Sequence, residues 1–176
     1  MVTFDAVIRP ATTSDASAIA RIYRPFVEDQ AISFELVPPD EAEIAGRIER
    51  VTSTHPWLVA LDGEGDVVGY AYGTTFRGRA AYRYTAETAI YLAPHARGTG
   101  LGDRLGTALH DDLRKRGFQT AVAVVTLPNP ASVAYHQRHG YRSAGILPRV
   151  GHKFDAWHDI GLWTLDLGDH VSSVDR

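Results

Sequence analysis

A glycine-rich turn between a strand and a helix carries the chemistry that can be read from this sequence. Glu87 begins the run Glu-Thr-Ala-Ile-Tyr-Leu, which leads through Ala-Pro-His-Ala to Arg97-Gly98-Thr99-Gly100-Leu101-Gly102. Thr88, Ile90 and Tyr91 are β-branched or aromatic, so Tyr82 to Leu92 reads as a strand. After the glycines, Leu101, Leu105, Ala108, Leu109 and Leu113 fall on one stripe of a helix, which ends in Arg114, Lys115, Arg116 and then Gly117. The start of a helix exposes unpaired N–H groups and a partial positive charge. Glycines there permit positive φ and close approach of a ligand, and Arg97 adds a fixed cation. Such a turn suits phosphate or pyrophosphate. An empty strand-to-helix turn is the plainer alternative.

Nucleotide motifs fit this turn poorly. The dinucleotide fingerprint is G-x-G-x-x-G with an acid about 20 residues on. Here the spacing is G-x-G-x-G, and Gln119, Thr120 and Ala121 supply no acid. A P-loop requires G-K-[ST], and Asp103 follows Gly102.

The elements that must position these residues follow from pattern. Ala6 to Arg9 is a short strand. Thr12 to Asp15 offer N-caps for a helix carrying Ile19, Ile22, Tyr23, Phe26 and Val27, in which Pro25 is expected to kink or split the turn. Ser33 to Val37 reads as extended. Pro38 to Glu41 opens a second helix with Ile44, Ile48 and Val51. Trp57–Leu61 and Val67–Thr74 flank the turn residues 62–66 and form a hairpin. Gln119–Thr126 is an apolar strand, and Ala131–Arg138 a short helix stopped by Gly140. Tyr141–Ile146 and Trp157–Leu167 are late strands, with Val171–Arg176 as a frayed tail. A mixed α/β sheet with helices on both faces is expected.

Bulk properties exclude more than they assign. The chain of 176 residues is expected to form a single domain spanning 1–176, its core about 8–167 and its tail 168–176. A net charge of −3 gives no reason to expect nucleic acid or an anionic membrane as partner. The absence of cysteine excludes disulfides, zinc-thiolate sites and cysteine nucleophiles. No secretory signal or membrane span is visible, so a cytoplasmic location is expected. His152, Asp155, His158 and Asp159 do not match a zinc spacing, and no metal is expected.

The R-G-x-G-x-G turn at a strand–loop–helix junction resembles motif A of the GNAT superfamily of N-acetyltransferases. Its second signature is echoed by Asn129, the short helix and Gly140-Tyr141, with His136 where a tyrosine usually stands. Glu87 to Leu92, Leu127-Pro128-Asn129, Lys153, the segment Trp157 to Trp163 and His55-Pro56-Trp57-Leu58-Val59-Ala60 are similar to the phosphinothricin and methionine sulfoximine N-acetyltransferases. The resemblance runs from about Ile8 to Leu167. It implies the GNAT fold, a mixed and mostly antiparallel central sheet with helices on both faces, and acetyl-CoA as co-substrate.

The resemblance also implies roles. Ile90, Tyr91 and Leu92 present backbone N–H groups to the thioester, and Arg97, Gly98, Thr99, Gly100, Leu101 and Gly102 hold the pyrophosphate. Asn129 meets the pantetheine arm. Glu87 is the general base, and His136 protonates the leaving thiolate or contacts the cofactor. Arg77, Arg79 and Tyr82 recognise the substrate anion, as arginine forks suit carboxylate or phosphinate. Phe34 and Tyr72 are pocket walls. The substrate is expected to be the α-amine of phosphinothricin, methionine sulfoximine or methionine sulfone. Another amine, a peptide N-terminus, or a non-catalytic coenzyme A sensor are the alternatives. A homodimer is expected.

Overall fold

The computed structural model describes residues 5–168. Seven strands form one sheet: β1 (Val7–Pro10), β2 (Trp57–Leu61), β3 (Val67–Thr75), β4 (Thr85–Leu92), β5 (Thr120–Leu127), β6 (Arg142–Lys153) and β7 (Ala156–Asp166). Their spatial order is β1-β2-β3-β4-β5-β7-β6. Every neighbouring pair is antiparallel except β4–β5. The helices are α1 (Ala16–Glu28), α2 (Glu41–Thr52), α3 (Leu101–Lys115) and α4 (Pro130–Arg138).

Side-chain alternation along the strands builds two cores. On one face Tyr70 and Tyr91 of the sheet meet Tyr23 and Phe26 of α1. On the other, Gly69 and Gly73 leave room for Leu105 and Leu113 of α3. The leucine stripe of α3 is buried as its period requires, each side chain contributing about 2 kcal/mol. Asp40 caps α2, its carboxylate accepting the Glu43 N–H at 2.8 Å.

Four local expectations are corrected. Pro25 does not split α1, which runs unbroken to Glu28. The missing proline N–H leaves only the carbonyl of Arg21 without its usual donor, and Arg21 is exposed to water. Packing of Ile22, Tyr23, Phe26 and Val27 holds the helix across that defect. Ser33–Val37 is a series of bends, not a strand. Its polar groups bond locally: Ser33 Oγ accepts the Glu35 N–H, and Glu35 is gripped by Arg47 at 2.8 and 2.9 Å. β4 starts at Thr85, because Ala80–Tyr82 winds into a 3-10 turn. β6 extends to Lys153, following β7 through register shifts between Ser143 and Gly145 and between Leu147 and Gly151. The expected tail, Val171–Arg176, lies outside the described residues.

Candidate active site

Strands β4 and β5 pair only from Thr85↔Thr120 to Glu87↔Val122. Beyond that point β4 stays with β3 as far as Leu92, and β5 stays with β7 as far as Leu127. The sheet therefore opens between its two halves, one residue past Glu87. The Thr88 hydroxyl donates to the Val122 carbonyl at 3.3 Å, tying off the last rung. The N–H of Ala93 bonds Val68, so alternation turns the backbone polar groups of Thr88, Ile90 and Leu92 toward the gap. The backbone of Tyr91 faces β3, and its ring forms part of the cleft wall.

The gap widens into a cleft of about 440 Å³ lined by Ile90, Leu92, Arg97, Gly98, Gly100 and Gly102, among others. Gly98 and Gly100 adopt φ of 73° and 83°. A Cβ added at either would meet no protein atom within 4 Å. The turn is thus an open concavity whose conformation and clearance both favour glycine. Gly100 is the N-cap of α3, so the first-turn N–H groups, which lack intrahelical acceptors, converge here. Thr99 Oγ1 donates to the Ala96 carbonyl at 2.7 Å and Arg97 Nε to the Leu92 carbonyl at 3.4 Å, bracing the turn. The residues present fit a pyrophosphate.

Asn129 lies on the far wall. Its side-chain oxygen accepts the Ser132 N–H at 3.1 Å and caps α4. His136, 7% exposed, borders the gap beside Thr88 and Ile90. Its Nδ1–H donates to the Ser132 carbonyl at 2.8 Å. Burial lowers its pKa, so the ring is neutral at pH 7 with Nδ1 committed.

Glu87 points to the opposite face of the sheet from Thr88, toward α1 and α2. Burial raises its carboxyl above the ordinary range, and among the described residues no cation pairs with it. A carboxylate so placed takes up a proton more readily than a solvated one. On the same face lies a second cavity, about 290 Å³, walled by Tyr70, Tyr72, Trp57 and Thr74. Tyr72 is therefore brought to a pocket. Phe34 is not in that wall; it packs on Gly151 and the His158 ring. Arg77 and Tyr82 gather on the Phe76 ring, at 5.1 and 5.8 Å, in the exposed β3–β4 connection that also carries Arg79. That connection ends two residues before Glu87 at Thr85.

Several cleft residues escaped the sequence reading, notably Phe26, Ile32, Ser132, Tyr135 and Arg138. Gly106 was the available signal for Tyr135. A glycine in mid-helix marks a close approach, and the Tyr135 hydroxyl lies 1.8 Å from where a Cβ would stand. His152, Asp155, His158 and Asp159 do not converge on a common point: His158 bonds the Lys153 carbonyl, Asp159 accepts the Arg149 N–H, and His152 packs on Trp157.

A sheet split beside a glycine-lined helix start, with an unpaired carboxyl at the split, suits transfer of a group from a phosphate-bearing donor. The Acetyltransferase (GNAT) family model matches residues 18–141, and the chain belongs to that family. The phosphinothricin N-acetyltransferase of Streptomyces viridochromogenes is 38% identical over 160 residues, covering 91% of this chain and 87% of that protein. The L-methionine sulfoximine/L-methionine sulfone acetyltransferase of Pseudomonas aeruginosa is 34% identical, covering 92% and 95%. The crystal structure of a phosphinothricin acetyltransferase from Sinorhizobium meliloti in complex with AcCoA superposes with a TM-score of 0.91. It shares 37% identity, with 96% of this chain and 91% of that one covered. The protein is an N-acetyltransferase of the GNAT fold.

Proposed function

We propose that the protein transfers the acetyl group of acetyl-CoA to the α-amino group of a small acidic amino-acid analogue. Phosphinothricin, methionine sulfoximine and methionine sulfone are the leading substrates. The observation that carries the reading is the position of Glu87, desolvated and unpaired at the last rung before the sheet opens. The names of the relatives direct the choice of amine.

In this reading Arg97–Gly102 holds the pyrophosphate, and Asn129 and the Tyr91 ring border the pantetheine arm. The N–H groups of Ile90 and Leu92 polarise the thioester carbonyl as charge develops on its oxygen. Glu87 accepts a proton from the ammonium. The amine nitrogen then bonds to the carbonyl carbon, the carbon–sulfur bond breaks, the sulfur leaves with the electron pair, and the second proton shed by the nitrogen passes to the sulfur through solvent. The neutral His136 ring, with its Nδ1–H engaged, supports a cofactor contact over proton donation. Arg77, Arg79 and Tyr82 orient the α-carboxylate, with Phe34 and Tyr72 as walls.

The whole chain acts as one catalytic domain in the cytoplasm. It works as a homodimer, supported by apolar side chains left exposed on the β6–β7 edge, such as Ile146 (59%) and Trp157 (63%). Sedimentation of the purified protein tests the dimer. The activity is tested by thiol release from acetyl-CoA with phosphinothricin, both methionine derivatives, common amino acids, a polyamine and a peptide. Turnover confined to the polyamine or the peptide would overturn the substrate reading and leave the donor site standing.

A further inference from the structure

Past the point where β4 and β5 part, side chains on both faces of the sheet join its two halves. On the face of α3 and α4, Tyr135 rests on Gly106, and the His139 ring reaches Asp103 at 2.9 Å. On the face of α1 the join is made by residues 29–34, a strap that belongs to no helix or strand. Ser33, 6% exposed, is held from both sides. Its hydroxyl bonds the Tyr23 hydroxyl of α1 at 2.6 Å, and its carbonyl accepts the Lys153 ammonium at 2.7 Å. Lys153 also donates to the Gln30 carbonyl at 2.9 Å. The Thr126 hydroxyl of β5 donates to the Ile32 carbonyl at 3.4 Å. Ile32, between these anchors, borders the donor cleft and also the space of about 70 Å³ where β4 and β5 separate, with Ile90, Val124 and His136.

Lys153 is an unusual anchor. It is 4% exposed, and its ammonium is met by two carbonyls, with no ion pair among the described residues. A buried charge is costly unless hydrogen bonds are made to it. Its position is closely fixed. Phe154 and Asp155, the turn between β6 and β7, have φ of 54° and 55°, a conformation that glycine and asparagine adopt more readily than phenylalanine. The turn pairs Lys153 with Ala156 and sets the Phe154 ring 5.1 Å from the ammonium. The His158 Nε2–H donates to the Lys153 carbonyl at 2.9 Å, and the His158 ring packs on Phe34 of the strap. Strain of this kind persists where the surroundings impose it. The stretch from Lys153 to His158, which takes no part in holding the donor, thus directs one cation at the strap.

We propose that Lys153 is a positioning residue of acetyl transfer: by tying residues 30–33 to the β6–β7 turn, it holds Ile32 over the opening and sets the width of the space in which thioester and amine meet. The assignment rests on the donor cleft proposed above. A fitted opening excludes water and keeps the reacting atoms within attack distance, and a displacement of about 1 Å can slow such a reaction about 100-fold. A loosened strap therefore slows transfer to the amine and admits water to the thioester. In that side reaction the water oxygen bonds to the carbonyl carbon and the carbon–sulfur bond breaks, giving acetate, the free thiol and a proton.

The test compares full-length wild type, Lys153→Met, Ser33→Ala and the double variant. Lys153→Met keeps the length of the side chain and removes the ammonium; Ser33→Ala cuts the strap from Tyr23 and keeps the carbonyl. Thiol release from acetyl-CoA is measured with and without the amine that the wild type turns over fastest, per binding site counted by coenzyme A calorimetry, so that unfolded protein is not scored. The ratio of amine-dependent to amine-independent release is expected to fall about tenfold or more in Lys153→Met. The double variant is expected to lose less than the product of the two single losses, because both act on one segment. A Lys153→Met ratio within about threefold of the wild type leaves Lys153 a purely structural anchor and overturns the assignment. If Lys153→Met yields no folded protein, Ser33→Ala and Thr126→Val decide by the same ratio, and no fall in either overturns it. A wild type that acetylates only the polyamine or the peptide overturns the substrate proposed above and not this assignment, since the ratio is read with whichever amine reacts.

Discussion

Glu87 and Val122 face each other across the last paired position of the β4–β5 ladder. The Val122 carbonyl also accepts the Thr88 hydroxyl at 3.3 Å, at the point where the pairing ends. One residue pair therefore marks both where the cleft begins and where Glu87, the proposed base, stands.

Replacing Glu87 with Gln keeps the shape and removes the proposed base. Turnover is expected to fall about 10²–10⁴-fold, with coenzyme A affinity, read by calorimetry, within about twofold of the wild type. The wild-type rate is expected to fall on the acid side at a pH above the ordinary glutamate value of 4.5, because burial raises this carboxyl. A variant that retains the wild-type rate and profile would remove Glu87 from the mechanism.

The same substitution has an opposite effect on folding. The folded carboxyl binds its proton more tightly than the unfolded one, since burial disfavours the charge. Its favourable contribution is complete below the unfolded pKa and is lost as pH rises through the folded value. At pH 7 the ionised Glu87 therefore opposes folding. Glu87→Gln is expected to melt above the wild type at pH 7 and level with it near pH 4. A variant that melts lower at pH 7 would show that the carboxylate has a stabilising partner.

Sequence alone located what depends on short-range pattern. The leucine stripe of α3, the start of α2 near Pro38–Glu41, the Trp57–Thr74 hairpin and the alternating glycines all declare themselves within a few residues. The proposed base was different: an isolated Glu in a strand carries no mark of burial, and only resemblance singled out Glu87. The aromatic cavity was hidden for a stronger reason. Tyr72 was expected as a pocket wall, but Trp57 joins it only through the β2–β3 register, and the cavity closes only with the packing of α1 and α2 over it. Pro25 misled because the propensity cost of one missing N–H was weighed without the packing of its neighbours. β6 was cut short because its pairing with β7 survives two register shifts.

Gly100→Ala separates cradle from fold. The added methyl group would touch no protein atom, so the fold suffers only the positive-φ penalty, about 1 kcal/mol. The methyl would stand in the space assigned to the pyrophosphate. The KM for acetyl-CoA is expected to rise about tenfold or more, with the melting temperature lowered by only a few degrees. An unchanged KM would place the phosphates elsewhere.

Gly106→Ala acts on the opposite wall. Its Cβ would fall 1.8 Å from the Tyr135 hydroxyl and 3.1 Å from the ring carbon that bears it. The ring cannot bend aside, so α4 must shift from α3, at a cost of about 1–3 kcal/mol. Tyr135 and Arg138 line the donor cleft, so acetyl-CoA binding is expected to weaken along with stability. Tyr135→Ala in the Gly106→Ala background should recover part of the lost stability. Failure to do so would show that the clash is relieved in another way.

His110 is expected to contribute to the loss of stability in acid. Its ring is buried, with Nε2 2.9 Å from the Tyr141 hydroxyl, which in turn lies 3.1 Å from Thr88 Oγ1. Burial, with smaller contributions from His139, Arg114 and His136 against the opposing charge of Asp111, pushes its pKa down from 6.5 to about 4. A depressed folded value means that the stabilising effect is present above the unfolded pKa and is lost as pH falls from 6.5 toward 4. The loss at pH 5 is on the order of 1–2 kcal/mol. Urea unfolding at pH 7 and pH 5 should show this drop in the wild type and a smaller one in His110→Gln, which keeps a hydrogen-bonding group without the titration. Part of the drop should persist, because burial lowers His136 and His55 as well. An identical drop in both proteins would assign the acid sensitivity to those two rings and leave His110 as a packing residue.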